Sequence, residues 1–188
     1  MVSERRIGSL KASVAQESRP GTAGMNECDT NADTCCLGTN WKVLEYTIRT
    51  ADVYSYDHSQ RPIQGVPIVT GITSWDDPAT GETLLLVINE ALFYGKKLNH
   101  SLINPNQLRS YGVDVWDNPF DKERGLCIRI DEITIPMSTK GTKIRFETRV
   151  PTDQEMRGSR MIELTSKQEW NPGVVSLGSM LTKSDEAR

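Results

Sequence analysis

The residues best suited to chemistry lie together in one short stretch, Cys28-Asp29-Thr30-Asn31-Ala32-Asp33-Thr34-Cys35-Cys36-Leu37-Gly38. The carboxylate of Asp29 is followed by a hydroxyl residue, by Asn31, which tolerates left-handed backbone, and by the small Ala32. The Cys35-Cys36-Leu37-Gly38 run behind them reads as a buried strand. This order holds one aspartate at the tip of a tight turn, braced by its own backbone, where it can exchange a proton. The plain alternative is an ordinary Asx-turn.

Other chemistry-bearing residues form no comparable group. His58 and His100 are far apart in sequence and have no nucleophile in a Ser/His/Asp setting, so both read as surface or core histidines. Asp76-Asp77 and Asp114/Asp117 read as turn and solvent carboxylates, and Trp75, Trp116 and Trp170 as core or edge packing. Cys28, Cys35, Cys36 and Cys127 contain no Cys-x-x-Cys. They read as reduced thiols acting as small hydrophobes, and neither a metal nor a cofactor is expected.

The elements that must position Asp29 are mostly strands. Trp41, Val43 and Tyr46–Ile48 suggest one beyond the turn, and Val53, Tyr54 and Tyr56 another. Val66–Trp75 and Thr83–Ile88 flank the turn signal Asp76-Asp77-Pro78-Ala79-Thr80-Gly81 and predict a hairpin. The pattern over Asn89–Gly95 fits a helical turn or continued strand equally. Asn104 as cap, Pro105 at the first position and Gly112 as stop predict a short helix over Pro105–Tyr111. Val113–Trp116, Cys127–Ile130, Ile133–Met137, Lys143–Thr148 and Met161–Thr165 are further strand candidates. Thr152-Asp153-Gln154-Glu155 is a capping box for a second short helix.

The chain has 188 residues, 37% of them hydrophobic, and a net charge of -3 from 22 basic and 25 acidic residues. That length suits one domain with a sizeable core. The charge balance argues against nucleic acid as the main partner. No apolar run reaches the roughly 18–20 residues of a membrane span, and Met1–Arg6 lack the apolar core of a signal peptide behind them. A soluble, intracellular protein is expected. Residues 1–24, poor in apolar positions, read as a disordered leader with a weak helical pattern at Ile7, Leu10 and Val14; 173–188 read as a flexible tail.

Asp29-Thr30-Asn31-Ala32-Asp33-Thr34 resembles the Asp-Thr/Ser-Gly-Ala turn of retropepsin-like aspartic proteases, with Asn31 in the place of glycine. His100-Ser101-Leu102-Ile103 with the helix at Pro105–Tyr111 and Gly112 resembles the strand and helix beneath that family's catalytic turn. Ala32–Cys35, Val66–Val69, Asn89–Leu92, Ser101–Arg109 and Trp116–Pro119 are similar to the protease region of copia-type retrotransposon polyproteins of microalgal genomes. The resemblance covers about Glu27 to Pro172.

The resemblance implies an all-β fold: a closed retropepsin-like barrel over 25–172, with a core to about 118 and a β extension over 119–172. It also implies a flap hairpin, with Thr80 and Gly81 at its tip against substrate, and one or two short helices. Asp29, Thr30 and Asn31 would form the catalytic turn, with Thr30 bonding across a two-fold axis. Ala32, Asp33 and Thr34 would lie along the substrate. The chain contains no second Asp-Thr/Ser-Gly, so Asp29 must meet Asp29 of another copy. The expected partners are a second copy and a polyprotein segment, without a membrane or nucleic acid, in the cytoplasm or in virus-like particles. The competing class is a retropepsin-like binding domain that has lost catalysis.

Overall fold

The computed structural model describes residues 5–9, 15–55, 57, 59–175 and 177, with the backbone alone for 5–9. Strands make up 45% of it and helices 9%. In chain order they are β1 (Arg5–Ser9), β2 (Ala23–Cys28), β3 (Cys36–Leu37), β4 (Lys42–Val53), β5 (Ile63–Asp76) and β6 (Thr83–Phe93). After a 3-10 turn (Gly95–Lys97) come β7 (Ser101–Ile103), α1 (Pro105–Arg109), β8 (Asp114–Trp116), β9 (Cys127–Ile130) and β10 (Ile133–Pro136). The chain continues through β11 (Ser138–Lys140), β12 (Lys143–Arg149), α2 (Asp153–Gly158) and β13 (Met161–Glu163).

The fold is therefore mostly β with two short helices, and both helices start as their punctuation predicts. The Asn104 side chain accepts from the Asn106 N–H at 2.9 Å, with Pro105 in the first turn. The capping box closes both ways: the Glu155 N–H donates to Thr152 Oγ1 at 3.3 Å, and the Thr152 N–H to Glu155 Oε2 at 2.8 Å.

Ten strands share one sheet in the order β1-β4-β5-β12-β2-β7-β3-β6-β13, with β11 on β12 and a further pairing of β5 with β6. The pairings thus run from β5 through β12, β2, β7, β3 and β6 and return to β5. β6 is buried along its length from Leu84 to Phe93, because both its faces are covered. Leu84, Leu86 and Ile88 join the main core with Trp41, Phe93, Ile103 and Leu108, while Leu85 and Val87 pack with Ile72 on the other face. A second sheet, β10-β9-β8, adds Val115, Ile128, Ile133 and Ile135 to the main core.

Beneath β2 lies a satisfied polar cluster. Asn26 Oδ1 accepts from Trp41 Nε1 at 2.7 Å and from Asn40 Nδ2 at 3.0 Å, while Asn26 Nδ2 donates to Thr148 Oγ1 at 2.9 Å. Ser101 Oγ donates to Asn40 Oδ1 at 2.6 Å and accepts from the Gly38 N–H at 2.9 Å. Every member is buried, so each bond replaces one to water, and strands far apart in sequence are tied in register.

Several expectations need correction. The segment expected as a disordered leader contributes β1, which pairs with β4, and its later residues are pinned: Ala15 is buried, and the Gly21 N–H donates to Val150 O at 2.8 Å. Backbone pairing needs few apolar side chains, which is why composition missed it. The boundary near 118 separates nothing in the sheet, since β12 lies between β2 and β5. The two strands expected between Trp41 and Tyr56 form the single, irregular β4; of the two readings open for Asn89–Gly95, continued strand holds as far as Phe93. Tyr56, His58 and the tail beyond Leu177 lie outside the described residues, while His100 is exposed.

Candidate active site

The turn at Asp29 is built where β2 ends. β2 pairs in parallel with β7, with Cys28 opposite Ile103, and the Asp29 N–H donates to Ile103 O at 3.0 Å. The chain then turns and returns as β3 on the other side of β7, pairing antiparallel with it at Cys36 and Leu102. β7 thus lies between the two strands that carry the turn, and α1 follows it directly. The sequence expectation that Leu102 and Ile103 underlie Asp29 agrees with this geometry.

Within the turn, Asp29 Oδ1 accepts from the Asn31 N–H at 2.8 Å. Asp29 is half-buried, Thr30 and Asn31 are exposed, and Ala32 and Thr34 are buried. Asn31 does not use the left-handed backbone expected of it: among the described residues only Glu90 and Asp131 have positive φ outside glycine. The Asx bond closes the turn with ordinary backbone, so a glycine is not required for its shape.

The other end of the turn is held by Gln107 and by Trp170, whose type alone suggests only packing. Gln107 of α1 is buried; its Oε1 accepts from the Cys35 N–H at 2.8 Å, and its Nε2 donates to Glu90 O at 3.2 Å. The Trp170 indole N–H donates to Asp33 O at 2.9 Å, and the Trp170 backbone N–H donates to Glu90 Oε2 at 3.1 Å. Arg49 of β4 pairs with the buried Glu90 carboxylate and lies 3.4 Å from Glu169. Glu90 has a φ of 57° and sits where the β5–β6 register shifts between Val69 and Gly71. Such backbone costs a glutamate about 1–3 kcal/mol, and the bulge re-aims its side chain out of the ladder. The nearest local signal is the polar pair Asn89-Glu90 interrupting an apolar run, in a segment whose periodicity fits a helical turn or a strand equally.

Thr80 and Gly81 are elsewhere. They form the exposed tip of the β5–β6 hairpin, nine residues of β6 before the Leu92 that pairs with Cys36, about 30 Å along the strand. The structure therefore brings Asp29–Thr34 together and leaves Thr80 and Gly81 apart from them. Beside the turn stands a different hairpin: Ala51 of β4 and Val66 and Ile68 of β5 cluster with Cys36 and Leu92, and Leu102 packs against them.

No family model, curated protein or solved structure matches the chain.

Burial raises the thiols around the turn, Cys28 and Cys35 each to about 12 and Cys36 further still, with Cys35 and the Asp33 and Asp29 carboxylates adding to the shift at Cys36. They stay protonated at neutral pH and are poor nucleophiles or metal ligands. Burial likewise raises the Tyr94 phenol, with Cys36 and Asp33 contributing. Among the described residues no group of His, Cys, Asp and Glu side chains could hold a metal ion, and no helix is long and apolar enough to cross a membrane. Surface cavities of about 170 Å³ at Val115–Asn118 and about 300 Å³ between Trp75, Phe146 and Arg149 are not lined by the turn. The remaining groups able to move protons at the turn are carboxylates.

Proposed function

We propose that this chain is one half of a retropepsin-type aspartic endopeptidase that cleaves a retroelement polyprotein. The observation that carries the reading is the placement of the Asp29 turn over β7 and α1, with Thr30 exposed beside it. The ring of pairings from β5 back to β5 supports a barrel around that turn. On this reading the flap is the β4–β5 hairpin, whose Ala51, Val66 and Ile68 flank Cys36 and Leu102. It is not the hairpin ending at Gly81.

One chain supplies one such carboxylate, so Asp29 works with Asp29 of the partner subunit across a two-fold axis. Two close carboxylates share one proton, because both cannot ionise together. The ionised one takes a proton from water as the water oxygen attacks the peptide carbonyl carbon. The protonated one gives its proton to the carbonyl oxygen. Collapse of the tetrahedral intermediate breaks the C–N bond as a proton passes to the leaving amine. Exposed Thr30 is available to bond across the axis, and half-buried Asp33 to receive substrate backbone N–H groups.

The test is cleavage of polyprotein-derived peptides by concentrated chain at about pH 4–6, where a shared-proton dyad operates. Asp29→Asn should abolish it, and specific activity should fall on dilution below the dimer dissociation constant. A second reading, a folded binding domain without catalysis, is favoured by one observation: the Asp29 carboxylate is already engaged by Asn31 N–H in an Asx bond. A concentrated dimer that cleaves nothing, in the parent or in Asn31→Gly, would decide for that reading.

A further inference from the structure

Residues 164–170 run from the end of β13 back to the turn, and their attachments are specific. Leu164, Thr165 and Trp170 are buried. The Asn89 N–H donates to Thr165 Oγ1 at 2.7 Å, Asn89 Nδ2 donates to Thr165 O at 2.9 Å, and Thr165 Oγ1 donates to Asn89 O at 3.0 Å. Five residues later Trp170 reaches the Glu90 carboxylate with its backbone N–H and the Asp33 carbonyl with its indole. Both ends of this strap therefore attach at the Asn89–Glu90 bulge of β6, and its far end also attaches to the turn.

The same bulge collects the other supports. Gln107 bonds its carbonyls from α1, Thr70 Oγ1 donates to Asn89 Oδ1 at 2.9 Å, and Arg49 pairs with Glu90 from the β4–β5 hairpin. The left-handed backbone at Glu90 is unfavourable for a glutamate, yet it points the carboxylate at Arg49 and Trp170 together. The Asp29 end of the turn is closed by its own Asx bond, whereas the Asp33 end is bonded from outside the turn.

We propose that Trp170 is a positioning residue for the Asp29–Thr34 turn, held in place by Glu90, and that the strap over 164–170 is part of the site. Trp170 acts through the Asp33 carbonyl, and Glu90 couples it to Arg49 in the hairpin beside the turn. The proposal rests on the protease reading only in calling the turn a catalytic site.

The experiment is hydrogen exchange on the full chain without substrate, comparing a peptide over 29–37 with one over 83–88 of β6 as an internal reference. Trp170→Phe keeps most of the packing and removes the indole donor. It should speed exchange of the turn peptide up to about tenfold, the scale of one hydrogen bond to a partly buried carbonyl, and leave the reference and the thermal midpoint nearly unchanged. Glu90→Ala should act in the same direction, and Glu90→Gln, which keeps an oxygen for the Trp170 N–H, should restore part of the protection. The indole N–H resonance lost in Trp170→Phe should exchange slowly in the parent and fast in Glu90→Ala. Unchanged turn exchange in both Trp170→Phe and Glu90→Ala would overturn the proposal, and so would equal loosening of the turn and the reference peptide. Because no arm needs cleavage, an inactive chain whose turn depends on Trp170 defeats the protease reading alone. An active chain whose turn ignores Trp170 defeats this proposal alone.

Discussion

The two hairpins that share β5 are built on opposite plans. β5 and β6 pair in an unbroken register from Gly71–Ile88 to Asp76–Thr83, and every side chain from Leu84 to Ile88 is buried. The turn joining them is self-sufficient: Asp77 accepts from the Ala79 N–H at 2.9 Å and from Thr80 Oγ1 at 2.8 Å. At its base Arg149 of β12 pairs with both Asp76 and Glu155. β4 and β5 instead slip register between Val43 and Glu45, Tyr46 and Thr50, and Ala51 and Val53. They leave Leu44, Tyr46, Ile48 and Ile63 exposed, with Ile48 84% accessible. One hairpin holds the core together. The other slips register and leaves outer side chains exposed, features that lower the cost of local opening, while Arg49 ties it to Glu90 beside the turn.

The contrast is broken most directly at the side chains. Leu86→Ala empties a fully buried position on β6 and should cost about 2–5 kcal/mol in denaturant unfolding. Ile48→Ala on β4 should change stability by no more than about 0.5 kcal/mol. Comparable losses at the two sites would mean that β4 is packed as tightly as β6.

A middle-sized effect is expected from the anchor at Arg149. The Arg149 guanidinium, through its hydrogen bonds, holds the Glu155 carboxyl at about 2 and also lowers Asp76. A depressed folded-state value stabilises the fold above the ordinary carboxylate range and loses that stabilisation as pH falls toward the folded value. The parent should therefore shed stability between about pH 4 and pH 2. Arg149→Met should lose on the order of 1 kcal/mol at neutral pH, limited by solvent screening, and show a flatter acid limb. Melting both proteins across that range checks the sign: parallel acid limbs would remove the ion pairs from the account.

The smallest effect sharpens the assignment of the flap. Thr80→Ala deletes an exposed hydroxyl bond at the tip of the regular hairpin and should cost about 0.5 kcal/mol or less. Cleavage, where present, should be unchanged, because the tip is far along β6 from Asp29. A clear change in KM would return the substrate contact to Thr80 and Gly81.

The features legible in the sequence are those whose causes are local. The Asn104 cap, the Thr152/Glu155 capping box and the Asp77–Gly81 turn each lie within a few residues, where spacing alone specifies the bonds. The Asp29 turn was legible for the same reason, since its closing bond spans two residues.

What the tertiary structure decided involves partners distant in sequence. Asn26 meets Thr148 across 122 residues, and Trp170 meets Asp33 across 137. Nothing in periodicity says that β12 fills the gap between β2 and β5, because an alternating strand declares its buried face but not its neighbour. Glu90 is the sharpest case. The sequence pattern over Asn89–Gly95 fits a helical turn or continued strand equally and assigns Glu90 no environment. Here it is buried, since the bulge, Arg49 and Trp170 together offset a backbone that its own preferences disfavour. Its environment exists only once β4, β6 and the strap have met, so the sequence alone held the residue but not its role.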